Sequence, residues 1–193
     1  MSTLSIKTFV VTFDDYATVT DDATLYDAIQ ALEDSHKKFF KKIHVHGEQR
    51  YKHRAVLVID KKGNVDGILT QHDMIKSLEP RYNEIGKDSR LSRFGITPSF
   101  MHDQMQLFGL WQSPLSRICR KASSIMVKNI MHPITPTLYI NDDANLNEAI
   151  HQFIMTQSPI LLVVNKGKDI IGVIRLTDVF VEICLTIKSC PAS

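Results

Sequence analysis

A chain of 193 residues holds one ordinary domain or two half-domains and is long enough to bury a core. Its 23 Lys and Arg stand against 21 Asp and Glu, a formal net charge of +2, so no global field draws it onto nucleic acid. The longest apolar runs, such as Ile160 to Val164, fall well short of the ~20 residues that span a bilayer. The N-terminus, Met1-Ser2-Thr3-Leu4-Ser5-Ile6-Lys7, has neither the basic start nor the apolar core of a secretory leader. The expectation is a cytoplasmic protein with neither a membrane nor a nucleic-acid partner. Cys119, Cys184 and Cys190 form no C-x-x-C pair and are odd in number, which fits reduced thiols rather than disulfides or a zinc site.

Taken in chain order, Thr18 to Thr20 reads as a short strand and Asp21-Asp22 as an acidic turn, followed by a helix with Leu25, Ala28, Ile29 and Leu32 on one face. Ala55 to Ile59 reads as a buried strand, Lys61-Lys62-Gly63-Asn64 as a tight turn, and Gly67-Ile68-Leu69 as a third strand; a last helix starts near Asp73. Between residues 80 and 121, Thr97-Pro98-Ser99 opens a helix with Phe100, Met101, Met105 and Phe108. Ser113-Pro114 opens a second helix with Leu115, Ile118, Cys119, Ala122 and Ile125, and Trp111 lies in the turn between the two.

The remainder repeats the beginning. Asp21-Asp22-Ala23-Thr24-Leu25 is echoed by Asp142-Asp143-Ala144-Asn145-Leu146 at an offset of 121. Gly67-Ile68-Leu69-Thr70-Gln71-His72-Asp73 is echoed by Gly172-Val173-Ile174-Arg175-Leu176-Thr177-Asp178 at an offset of 105. The first copy therefore carries 16 extra residues, assigned to about 36–54. The fold class is α/β (α+β), two β-α-β-β-α units at 10–80 and 122–187 that pack through their sheets, with a helical linker at 81–121. Strands this short and apolar on both faces cannot stand alone.

Thr70 and Asp73 place a hydroxyl and a carboxylate where a strand meets a helix, and orphan N–H groups at such a point attract a phosphate. The same spacing is a capping box that needs no ligand. His44, His46 and His53 would suit a metal, but no Cys or spaced carboxylate completes a set, and Lys37, Lys38, Lys41, Lys42, Arg50, Lys52 and Arg54 make this stretch a solvated basic loop. It would also supply phosphate counter-charge or dock an acidic partner. There is no Gly-x-Ser-x-Gly, His-Glu-x-x-His or Walker loop, so catalytic residues and metal ligands are both expected to be absent.

The acidic turn and helix, the apolar run ending in Asp60, and Gly67-Ile68-Leu69-Thr70-x-x-Asp73, all repeated, resemble the CBS domain, and the two copies resemble a CBS pair. Val127-Lys128-Asn129-Ile130-Met131 is similar to the lead-in that precedes such domains. The resemblance implies a cleft between copies that binds an adenine nucleotide, AMP or a related adenosyl ligand, with no obligatory cofactor. It also implies a homodimer that regulates some other protein. By the family pattern Thr70 would contact phosphate and Asp73 ribose, with Leu138 and Ser158 facing them from the other copy. In the second cleft Asp178 would be faced by Thr12, Ala17 and Arg54. There Arg175 replaces the threonine and would bind phosphate bidentately. The alternative is a module that binds no ligand and acts through its linker helices, whose Phe94, Phe100, Met101, Met105, Phe108 and Trp111 suit a partner surface.

Overall fold

The computed structural model describes residues 4–43, 53–85, 97–112 and 116–189. His44, His46, Arg50, Lys52, Phe94, Ser113 to Leu115 and Cys190 lie outside the described residues. Of the stretch expected to be a solvated basic loop, Lys37, Lys38, Lys41 and Lys42 belong instead to a helix that runs on to Ile43, and His53 is fully buried.

In the first copy β1 (Thr18–Thr20) runs parallel to β2 (Ala55–Ile59), which pairs antiparallel with β3 (Val65–Thr70). Helix α1 (Leu25–Ile43) connects β1 to β2, and α2 (Gln71–Ser77) follows β3. In the second copy β5 (Tyr139–Asn141), β6 (Ile160–Val164) and β7 (Ile170–Arg175) repeat the sheet, with α6 (Leu146–Thr156) and α7 (Leu176–Ser189) as its helices. The register is conserved between copies: Thr18 pairs with Leu57 as Tyr139 does with Leu162, and Ala55 with Thr70 as Ile160 does with Arg175. The offsets read from the sequence are thus structural equivalences.

Strands apolar on both faces have two cores to fill. Val56, Val58 and Leu69 point toward Leu25, Ala28 and Leu32 of α1, while Leu161, Val163 and Ile174 meet Ala149 and Phe153 of α6. The alternate residues Ala55, Leu57 and Ile68 meet Ile160, Leu162 and Val173 in a third core between the sheets.

Each lead-in crosses to the other copy. Strand β4 (His132–Pro133) pairs with β3, placing His132 opposite Ile68 and Pro133 opposite Gly67. Val11 bridges Val173 in the same antiparallel sense, with N–H to O distances of 2.8 Å in both directions.

The linker forms α3 (Tyr82–Ile85), α4 (Pro98–Leu107) and α5 (Ser116–Ser124). Thr97 caps α4 by accepting the Phe100 N–H at 3.1 Å, with Pro98 in the first turn. Gly109 and Trp111 both adopt positive φ, 57° and 58°, which turns the chain back after α4. Trp111 Nε1 donates to the Tyr82 hydroxyl at 2.9 Å, and Lys121 of α5 donates to the Leu78 carbonyl at 2.9 Å.

Candidate functional site

Thr70 and Asp73 form a complete capping box. The Thr70 N–H donates to Asp73 Oδ2 at 3.0 Å, the Thr70 hydroxyl donates to the same oxygen at 2.5 Å, and the Asp73 N–H donates to Thr70 Oγ1 at 3.2 Å. The other carboxylate oxygen, Oδ1, lies 2.9 Å from His132 Nε2. Burial pushes the Asp73 carboxyl up, but hydrogen bonds from the Thr70 side chain and backbone and from His132 outweigh it and hold the group below its ordinary value.

A cavity of about 1240 Å³ opens beside this cap. Ile68 and Thr70 line it from the first copy, His132, Pro133, Thr137 and Leu138 from the crossing lead-in, and Ser158 and Pro159 from just before β6. The structure therefore brings Thr70, Leu138 and Ser158 onto one cavity. Asp73 lies behind Thr70 and faces an adjoining cavity of about 500 Å³ with Lys76, Lys121 and Asn129. His132, which sequence reasoning missed, is the one residue among those described that lines both cavities.

The equivalent positions of the second cleft are differently filled. Arg175, where the first copy has Thr70, is 5% exposed, and its Nε donates to Asp178 Oδ2 at 2.5 Å. A guanidinium held by the helix that follows it has spent part of the fork that bidentate phosphate binding requires. Its Nη1 is 3.4 Å from Nε2 of His53, which is fully buried, and the His53 ring meets Tyr16 edge-on at 4.8 Å. Burial pushes the Tyr16 hydroxyl far above its ordinary value. Of the other residues expected there, Ala17 is buried in the first copy's core, while Thr12 and Arg54 are exposed.

By the two offsets, Tyr16 is the counterpart of Thr137 and His53 of Ser158. Three small hydroxyl side chains line the first cleft where Tyr, His and Arg pack together in the second. The sequence held this signal, because aligning the copies sets large against small at all three positions.

Among the described residues no group of three or more His, Cys, Asp or Glu is placed to hold a metal, and no helix is long and apolar enough to cross a membrane.

The model of the CBS domain family matches residues 10–80 and 123–184. No curated protein matches the chain by sequence. Among solved structures, the chain is similar to the CBS-pair protein CBSX2 from Arabidopsis thaliana, at 18% identity and a TM-score of 0.56 over 98% of this chain and 99% of that one. It is also similar to CBSX2 in complex with AMP, at 19% identity and 0.53 over 96% and 98%. A CBS domain-containing protein of unknown function from Kribbella flavida gives 16% and 0.55 over 94% and 99%. At these identities the likeness is one of fold.

Proposed function

The chain belongs to the CBS-domain family, and from that premise we propose that it is a regulatory module that binds an adenine nucleotide, AMP or a close relative, in its first cleft. Its role is binding and signalling rather than catalysis. The observation that carries this reading is the 1240 Å³ cavity, which joins the Thr70 strand end to Leu138 and Ser158 of the other copy. That volume exceeds the ~300 to 1000 Å³ of ordinary small-molecule sites, so a nucleotide fits and touches both copies at once. A protein of the same fold, CBSX2, has been solved in complex with AMP.

In this reading the base lies against Ile68, Leu138 and Pro159, and the ribose hydroxyls donate to Asp73 Oδ1. The Thr70 hydroxyl rotates from Asp73 Oδ2 toward a phosphate oxygen, and the Thr70 N–H, at 3.0 Å, keeps Oδ2 in place. Because the cavity is walled by both copies, occupancy stiffens their interface and is passed to a second copy of this chain or to a regulated protein.

Heating the protein with and without AMP, ADP, ATP and S-adenosylmethionine tests the reading, since a ligand selective for the folded state raises the melting temperature. At least one adenine nucleotide should raise it, and Asp73→Asn should abolish most of the rise. No shift with any of the four would overturn the proposal. It would favour instead a module acting through the linker, where α4 exposes Met101, Met105 and Leu107.

A further inference from the structure

We propose that His132 is a built-in competitor for the ligand at Asp73 and so sets how strongly the cleft selects for a ribose with free hydroxyls. The inference rests on the reading of the first cleft as a nucleotide site. Of the two Asp73 oxygens, Oδ2 is committed to the Thr70 cap, which leaves Oδ1 as the acceptor open to a ligand. His132 Nε2 occupies that acceptor at 2.9 Å. His72 Nδ1 stands 3.9 Å from the same oxygen, beyond hydrogen-bond reach, so His132 alone of the two imidazoles competes for it.

The backbone beneath His132 cannot move aside. It pairs with Ile68 across the sheet, and its carbonyl oxygen passes so close to Gly67 that a Cβ there would lie 2.9 Å away. The side chain, by contrast, is 69% exposed and free to rotate. Rotation frees Oδ1 and joins the larger cavity to the smaller one, which adds Lys76 and Lys121 to the reach of a bound phosphate. The second copy is an internal control. The counterpart of His132 is Val11, whose side chain offers no donor, and Asp178 is held by Arg175 at the end of the strand that precedes its helix.

The test compares AMP with 2',3'-dideoxyadenosine monophosphate, which has no hydroxyl to offer Asp73, by titration calorimetry on wild type and His132→Ala. A hydrogen bond from so exposed a side chain is worth little net, so removing the competitor should tighten AMP binding by only about two- to fivefold. The dideoxy ligand should not change. His132→Gln, whose amide reaches as far and donates as well, should restore the weaker wild-type affinity for AMP. Loss of AMP affinity in His132→Ala, no change, or equal changes for both ligands would each overturn the proposal.

If wild type binds no adenine nucleotide, the functional reading fails while the competition for Oδ1 is still measurable in the empty protein. His132→Ala and Asp73→Asn should then lower the urea midpoint by less together than their separate effects add to. Strict additivity would show that His132 does not hold Asp73.

Discussion

Gly172 lies directly beneath the crossing strand at Val11: a Cβ added to Gly172 would stand 2.5 Å from the Val11 carbonyl oxygen and 2.8 Å from Val10 Cγ1. At the equivalent Gly67 the nearest atoms are Met131 Sδ at 2.6 Å and the His132 carbonyl oxygen at 2.9 Å. The glycine that opens each motif is thus required by the other copy's lead-in, which must come close enough to hydrogen-bond its neighbour.

Gly172→Ala is therefore expected to cost about 1 to 3 kcal/mol, the range for forcing a methyl into filled space. Gly67→Ala should cost less, because the nearest atom is on a flexible methionine side chain and the nearest backbone atom is 2.9 Å away rather than 2.5 Å. Urea denaturation of both variants checks the order, and an unchanged midpoint for Gly172→Ala would show that the crossing strand yields.

The filled second cleft leads to a stoichiometry of one. Titration of wild type with AMP should give one nucleotide per chain, and two equal sites would contradict the asymmetry of Thr70, Thr137 and Ser158 against Arg175, Tyr16 and His53. Arg175→Ala should destabilise by about 1.5 to 3 kcal/mol, the value of a hydrogen bond to a charged group whose loss strands Asp178. The triple change Tyr16→Thr, His53→Ser and Arg175→Thr copies the first cleft into the second and should add a binding event.

The order of strands and helices was legible because each copy carries its period and turn signals twice, and the cap at Thr70 and Asp73 because its spacing is local. His132 was not legible. It lies 59 residues from Asp73 and meets it only because the lead-in of the second copy joins the sheet of the first. Nothing in a local pattern marks that exchange. Of the four apolar residues read on one face of α1, Leu25, Ala28 and Leu32 turn into the core against Val56 and Val58, while Ile29, at the edge of that stripe, is 41% exposed.

Acid should weaken the first copy through Asp73. Its folded carboxyl titrates below the ordinary aspartate value of about 3.9, so the stability it supplies is present above that pH and is lost as pH falls through the folded value. Asp27, which caps α1 through Thr24, is shifted in the same direction by those hydrogen bonds. Melting temperatures from pH 6 to pH 3 should show wild type above Asp73→Asn at pH 6 and converging with it toward pH 3. A gap that stays constant would mean the carboxylate charge contributes nothing to the cap.

The chain is expected to be a homodimer, associating through its second copy. Ile154 on α6 and Phe180 and Leu185 on α7 are 67%, 61% and 57% exposed, and Met155 and Val181 extend the same apolar surface. Five large apolar side chains exposed on two neighbouring helices are uncommon on a monomer, and a two-fold axis would let this face cover its own copy. The first copy again serves as the control. At the positions equivalent to Ile154 and Met155 it has Glu33 and Asp34, whose carboxylates lie 2.8 and 3.8 Å from Lys37 Nζ, although the counterpart of Phe180, Ile75, is itself 58% exposed. Phe180→Glu, or Ile154→Lys, buries a charge at the proposed contact and should release monomers, whereas Ile29→Lys on the first copy should leave the assembly intact. Light scattering at micromolar concentration should give twice the 22.0 kDa chain mass for wild type and for Ile29→Lys. A wild-type mass of 22.0 kDa would sink the dimer. Dissociation by Ile29→Lys but not by Phe180→Glu would move the contact to the first copy.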